Sequence, residues 1–367
     1  MRFYTESSPH IKHNDTTDKI MIRVIIALIP AIIYSCILFG FKVVILYLTA
    51  ILSCLLSSFI VKKLRKKPIH FDYPAVITGL LMVMTLPPSA TVTMVVIGSV
   101  IAIVFTREVF GGLGSNVFNP ALVGRAFLQT AFPAKMSMYS SPVNVPFNSI
   151  FSDILKDLEI TISGATASIS PLGAITQSTP LTLMKFGNVE LFNIADYFYF
   201  ESHYYLQLLL GSTAGAIGET SFLLILIGGI FLIATNTVDW RIPLGMTLSL
   251  LVVSFLLFLP ESTRIASPIY NLLSGGFALG AFFMATDMVT CPSNSKGVWI
   301  YSILIGSVLA LLRVFGSSPE YMMYSILIGN MFMPLIVMLT RPLPFGKKEF
   351  LDIKKAAANN SANGGNK

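Results

Sequence analysis

The chain has 367 residues, of which 54% are hydrophobic and only 12% are charged. Soluble domains carry about twice that charge, so the composition excludes a single soluble core and points to a protein that crosses a bilayer several times. The formal net charge of +7 would suit nucleic acid, but its distribution argues against that partner. Lys62, Lys63, Arg65, Lys66 and Lys67 directly follow an apolar run, where a basic cluster reads as a cytoplasmic topology anchor beside membrane lipid.

Residues 1–19 are polar, and the Thr16-Thr17-Asp18 run is suited to capping a helix. Apolar spans follow at roughly 20–40, 42–61, 73–88, 90–106 and 117–133. A long polar island, 134–203, rich in Ser and Thr, comes next. Five more spans lie at roughly 220–236, 242–260, 269–287, 297–315 and 320–340. Each approaches the ~20 residues a bilayer-crossing helix needs, the third and fifth being short. The first span lacks a small-residue cleavage site and follows acidic residues, so it reads as a retained helix. Cys36, Cys54 and Cys291 are scattered and form neither a metal motif nor a disulfide framework.

Charge arbitrates the topology. With ten spans and a cytoplasmic N-terminus, most of the 25 Lys and Arg fall on the cytoplasmic side, as the positive-inside rule requires. An eleventh helix over 203–219 would move Lys347, Lys348, Lys354 and Lys355 outside, so that Gly-rich stretch reads as re-entrant. The expected organisation is a cytoplasmic segment (1–19), a first membrane half of five helices (20–133), an extracytoplasmic loop (134–203), a second half (204–340) and a cytoplasmic tail (341–367). An internal repeat supports this. Ile97-Gly98-Ser99 recurs as Ile305-Gly306-Ser307, Asn116-Val117-Phe118-Asn119-Pro120 as Asn330-Met331-Phe332-Met333-Pro334, and Thr85-Leu86-Pro87 as Thr290-Cys291-Pro292. Five spans per half make the halves inverted, an architecture that places sites at the repeat interface.

Several residues carry chemistry. Gly111-Gly112-Leu113-Gly114-Ser115-Asn116-Val117-Phe118-Asn119-Pro120 precedes a span. Its glycines let backbone approach a ligand closely, and Pro120 suits a helix start, whose free N–H groups receive an anion or a polar ring edge. Gly112, Gly114, Asn116 and Asn119 are therefore candidate ligand contacts. Arg125 lies inside the apolar stretch that follows, where a charge is expensive and by default marks a site. The bland alternative is a tight turn plus an arginine snorkelling to the interface. Asp287, in Met284-Ala285-Thr286-Asp287, ends a span and Glu219, in Gly218-Glu219-Thr220, starts one. Both are candidates for an ion path, against the simpler reading as helix caps. There is no phosphate loop, no zinc-spaced His pair and no nucleophile elbow.

Ser8-Pro9-His10-Ile11, the 111–125 stretch, Ile217-Gly218-Glu219-Thr220-Ser221, Asp239-Trp240-Arg241-Ile242-Pro243 and Met284-Ala285-Thr286-Asp287 together resemble the RnfD components of Rnf electron-transport complexes. Their paralogues are the NqrB components of sodium-translocating NADH:quinone reductases. The resemblance runs from about residue 8 to 345. It implies a subunit of a ferredoxin:NAD+ oxidoreductase that couples electron flow to Na+ or H+ translocation in the bacterial cell membrane. The implied partners are the other Rnf subunits, of types A, B, C, E and G. It also implies FMN joined to a threonine by a phosphoester bond, made by a flavin transferase outside the cytoplasm. The paralogous NqrB components hold a non-covalent riboflavin besides, which makes a second flavin an expectation here.

Two threonines match the attachment pattern. Thr176-Gln177-Ser178-Thr179-Pro180-Leu181 resembles its end, with Gly173 where the pattern has an acid, and Thr179 is the expected site. Ser163-Gly164-Ala165-Thr166 resembles the tetrapeptide of sister subunits and makes Thr166 the alternative. Arg125 would stabilise a reduced, anionic flavin lying near its depth. The competing class is a solute channel or transporter of inverted-repeat fold with no redox role, since fold alone does not decide function.

Overall fold

The computed structural model of the chain describes residues 16–68, 70–139, 205, 208–211, 215–219, 221–258, 267–316 and 320–341. All regular structure among these residues is helical. Thr166 and Thr179 lie outside them, as does most of the polar island.

Helix α1 (Thr17–Phe39) begins where the sequence expects, with the Thr16 hydroxyl accepting from the Lys19 N–H and Asp18 in the first turn. Helix α2 (Phe41–Leu64) follows directly and carries Lys62 and Lys63 at its C-terminal, electronegative end. Helix α3 (Tyr73–Met84) is capped by Asp72, and α4 (Val92–Val100) by Thr91, running on into a π-helical segment, Ile101–Glu108. Helix α5 (Pro120–Ala131) starts at the Asn119 cap, with Pro120 in its first turn, and α6 (Pro133–Met136) is a single turn. After the island come a short 3-10 turn (Ile217–Glu219), α7 (Phe222–Ala234), α8 (Arg241–Phe258) and α9 (Pro268–Leu273). Helix α10 (Phe277–Leu279) continues as a π-helical segment (Gly280–Met284), and α11 (Ser295–Phe315) and α12 (Met322–Thr340) complete the fold.

Five helices, α1, α2, α8, α11 and α12, are long and apolar enough to cross a membrane. Their outer faces carry apolar stripes at helical spacing, Ile26, Ile29, Ile33 and Ile37 on α1 and Leu48, Leu52 and Leu56 on α2. Such stripes want lipid or another subunit rather than water, and the chain is a multi-pass membrane protein. Helices α3 and α5 have 12 residues each, a rise of about 18 Å against a hydrocarbon core of ~30 Å. The span expected over 269–287 is broken: α9 stops at Leu273, Ser274-Gly275-Gly276 intervene with Gly275 at φ 69°, and the helix resumes at Phe277. Two successive glycines supply that break. The resumed helix ends at Met284, and Asp287 lies beyond it.

On each side of the island consecutive helices pack on one another. Helix α2 lies on α3 and α4, and α4 on α5; α8 lies on α9 and α11, and α11 on α12. At the α8–α11 crossing Gly245 faces Ser302 and Gly306 faces Ser249 so closely that a Cβ on either glycine would overlap the serine. Small residues there let the two backbones approach. One of the three motif pairs occupies comparable places. Thr85-Leu86-Pro87 follows α3 and Thr290-Cys291-Pro292 follows the α10 segment, and each leads into a capping residue, Thr91 or Asn294. Another pair does not match: Asn116–Pro120 forms a loop and cap, whereas Asn330–Pro334 lies inside α12. The halves meet where the Ile217 N–H donates to the Leu86 carbonyl at 2.9 Å. A Cβ on Gly218 would stand 2.7 Å from the Met84 carbonyl oxygen, so only glycine admits this approach.

Candidate functional site

A cavity opens between the starts of α1, α3 and α5 and the ends of α7 and α10. It is walled by Val24, Ile77, Leu81, Leu232, Phe282 and Phe283, with Arg107, Asn116, Asn119, Thr237, Thr286 and Asp287 among its polar groups. Its volume is about 90 Å³. An apolar body with a few convergent polar groups is the usual form of a small-molecule site.

A charged network holds this cavity in shape. Asp72, which caps α3 by accepting from the Ala75 N–H at 3.2 Å, also accepts from Ser58 at 2.6 Å, from Lys62 at 2.5 Å and from Arg107. Burial alone would raise the Asp72 carboxyl, but the hydrogen bond and charge of Arg107, with Lys62 and Ser58, outweigh it and hold the group well below the usual carboxylate range. Arg107 is 3% exposed and lines the cavity, with Glu108 at 3.5 Å. Its Nε and Nη1 have no hydrogen-bond partner among the described residues, a costly arrangement unless a ligand or water supplies acceptors. Arg65 donates to the Glu108 carbonyl, and Lys67 to the Gly111 carbonyl at 2.7 Å. The basic run after α2 thus pins the glycine loop, beyond its role as a charge on one side of a membrane.

Within that loop Gly111, Gly112 and Gly114 have φ of 126°, 108° and 92°, a region that favours glycine. Leu113 and Asn116 reach the cavity, whereas Gly112 and Gly114 shape the turn and do not line it. Asn116 donates to the Phe118 carbonyl at 3.1 Å, and its side chain meets the Asp287 carboxylate. Asn119 is fully engaged: its Oδ1 accepts from the Ala121 N–H at 3.1 Å and its Nδ2 donates to the Met284 carbonyl at 3.1 Å. It ties the start of α5 to the end of the α10 segment and positions the cavity wall.

Arg125 is not in this cavity. It lies further along α5 in a second polar cluster, where its Nη2 meets Glu320 Oε2 at 2.9 Å. The Tyr139 hydroxyl donates to the same oxygen at 2.8 Å. Glu219 joins them across a cavity of about 10 Å³ that Arg125, Thr85, Met84, Gly276 and Met284 also line. Arg313, nearby on α11, donates to the carbonyls of Asn271 and Ser274. The structure therefore separates the sequence candidates into two sites: Asn116, Asn119 and Asp287 at one, Arg125 and Glu219 at the other. Asp72, Arg107, Glu108, Arg313 and Glu320 are members that the motif reading does not reach. The signal that could find them is a charge inside or beside an apolar span, the same signal that singles out Arg125.

The chain matches the model of the NQR2, RnfD, RnfE family over residues 4–346. It is 35% identical over 347 residues to the D component of a proton-translocating ferredoxin:NAD(+) oxidoreductase complex from Clostridium ljungdahlii, covering 94% of this chain and 97% of that one. It is 36% identical over 353 residues to the D component of a Na(+)-translocating ferredoxin:NAD(+) oxidoreductase complex from Acetobacterium woodii, covering 96% of each. The D component of an ion-translocating oxidoreductase complex from Shewanella amazonensis is 35% identical over 356 residues, 95% of this chain and 99% of that one.

Proposed function

The chain belongs to the NQR2, RnfD, RnfE family, and we propose that it is the RnfD-type membrane component of an ion-translocating ferredoxin:NAD+ oxidoreductase. The observation that carries this reading is similarity over almost the whole chain and almost the whole of each relative. Its partners are then the other Rnf subunits, of types A, B, C, E and G, in a bacterial cell membrane, with Na+ or H+ as the coupling ion. The packing of consecutive helices within α2–α5 and within α8–α12 supports ten spans in two inverted halves. In that arrangement both termini are cytoplasmic and the 134–203 loop is outside.

Two flavin positions belong to the proposal. One is covalent FMN on Thr179, or alternatively Thr166, attached by a flavin transferase. The other is a non-covalent flavin, of riboflavin type, in the cavity of Arg107, Asn116 and Asp287. The chemistry of that cavity suits a flavin ring: its walls are mostly apolar, and the Arg107 nitrogens without partners among the described residues call for acceptors such as a ring edge carries. A bound flavin would supply storage and transfer of electrons. The chain's own part is to bind and orient. Arg107, held by Asp72, offers donors at one wall; Asp287, held by Asn116, offers an acceptor at the other. Asn119 fixes the wall between them by holding the Met284 carbonyl. Asp287, at this cavity, and Glu219, in the second cluster, are the candidates for the ion path; Arg125, expected beside a flavin, lies with Glu219 instead.

In-gel ultraviolet fluorescence of the denatured chain, co-expressed with a flavin transferase, tests the redox reading. Wild type should fluoresce, Thr179→Val should not, and Thr166→Val should remain bright. Loss only in Thr166→Val moves the site while keeping the function. A dark wild type, beside a transferase active on another substrate, favours a transporter without redox role.

A further inference from the structure

We propose that Glu219 is a proton-exchanging carboxyl at the seam of the two halves, served by one buried water, and that it does not hold a sodium ion. The inference rests on the reading of the chain as part of an ion-translocating complex, and it names the ion handled at this one place. Relatives of nearly equal identity are named proton-translocating and Na(+)-translocating, so kinship leaves the ion open.

The geometry is specific. Glu219 ends the 3-10 turn, and its Oε2 accepts from the Ala216 N–H at 3.2 Å. A Cβ on Gly215 would stand 3.1 Å from Oε2, and one on Gly276 would stand 3.1 Å from Oε1, so both glycines keep the carboxylate's surroundings open. Glu219 is partly buried. The 10 Å³ cavity at its side is about the smallest that admits a water. Facing it, Arg125 is 6% exposed and has its Nε without a hydrogen-bond partner among the described residues. A water there accepts from Arg125 Nε and donates to the Glu219 carboxylate, satisfying both.

Sodium is disfavoured by the neighbours. A hard cation collects carboxylate, carbonyl and water oxygens, whereas the groups turned toward Glu219 include two guanidiniums. The charged and titratable groups facing Glu219 are Arg125 from α5, Arg313 from α11, Glu320 before α12, and Tyr139 beyond α6. Two carboxyl groups, of Glu219 and Glu320, here face the guanidiniums of Arg125 and Arg313. A sodium ion would add a third positive charge without cancelling either arginine. Protonation adds the same charge but places it on the carboxylate itself, as a covalent O–H bond. In the exchange a hydronium gives its proton to a carboxylate oxygen and leaves water; the neutral carboxyl later returns the proton to water.

Infrared spectroscopy of the full-length protein in lipid nanodiscs tests this without turnover. With glutamate carbon-13 labelled, a pH titration in H2O and D2O should show a protonated carboxyl band that shifts with both isotopes. The band should vanish in Glu219→Gln, persist in Asp18→Asn and be indifferent to added Na+. If Glu219→Gln does not fold, Glu219→Asp should move the band out of the labelled glutamate set. A band unchanged in both Glu219 variants overturns the proposal, and so does one that Na+ abolishes only when Glu219 is present. The flavin assay fails or succeeds independently, so a dark gel sinks the redox reading while leaving this spectrum to be judged alone.

Discussion

Replacing Asp72 by Asn tests whether the network beneath the cavity is structural. Asp72 is 7% exposed and its partner Arg107 is 3% exposed, so the pair is not a screened surface contact. Asparagine keeps the acceptor that caps α3 but removes the charge, leaving Arg107 buried with Nε and Nη1 already lacking partners. Removing one member of a buried pair costs about 3–5 kcal/mol. At roughly 2 °C per kcal/mol for a chain of this size, the unfolding midpoint in detergent should fall by about 6–10 °C. The double change Asp72→Asn with Arg107→Met removes the uncompensated guanidinium but leaves Glu108, 1% exposed, without its partner at 3.5 Å, so it should recover only part of the loss. The pH dependence has a definite sign. The folded carboxyl titrates below its unfolded value, so its contribution is complete above the unfolded value, near 4. It is lost as pH falls from there toward the folded value, and Asp72→Asn should flatten that acid limb. A midpoint unchanged in the single variant, or a double variant no better than the sum of the singles, would refute the reasoning.

Three further outcomes follow from the packing. Gly306→Val forces side-chain atoms into Ser249 and the α8 backbone; overpacking of this kind costs about 1–3 kcal/mol, and the folded yield in size-exclusion chromatography should drop. Asn119→Ala removes the α5 cap, worth about 1 kcal/mol, and strips the donor from the Met284 carbonyl, about 1–3 kcal/mol more. Its midpoint should fall, and flavin retained by the purified protein should fall with it. Glu320→Gln leaves Arg125 without its 2.9 Å charge partner, and Glu320→Gln with Arg125→Met should be more stable than Glu320→Gln alone in the same unfolding assay.

Local signals in the sequence translate well into local structure. Thr16 and Asn119-Pro120 mark helix starts because a capping side chain and a proline act within one turn. The glycine loop bends where its spacing says it should, since positive φ is a property of single residues. Long-range pairing is illegible. Asp72 meets Arg107 and Arg125 meets Glu320 across separations of 35 and 195 residues, and nothing near either arginine names its partner. Nearness in sequence groups Arg125 with Asn116 and Asn119, and the fold separates them. Pro120 lies one residue beyond the Asn119 cap, but Arg125 is five residues further, about 7.5 Å along a helix, enough to enter another cavity. The Asn330–Pro334 match misleads for the opposite reason. The letters recur, but inside α12 the asparagine hydrogen-bonds Tyr301 at 2.7 Å and caps nothing.

The two sites share their supports. Helix α5 carries Asn119 and Pro120 at the larger cavity and Leu122 and Arg125 at the smaller one. Met284 spans the same divide: Asn119 holds its carbonyl, while the residue itself lines the small cavity beside Glu219. A helix of 12 residues moves as a unit, so a shift at its capped start reaches Arg125 with little loss. Filling the larger cavity therefore bears on the Arg125–Glu320 pair through one rigid element and one hydrogen bond. Coupling of this kind is a free energy between sites and is reciprocal. Asn119→Ala cuts the hydrogen bond while leaving Arg125, Glu219 and Glu320 intact. With flavin bound, wild type should show a Glu219 infrared titration displaced from that of the flavin-free protein, and Asn119→Ala, compared at flavin saturation, should show a smaller displacement. Equal displacements in the two proteins would mean that the sites are neighbours without being linked.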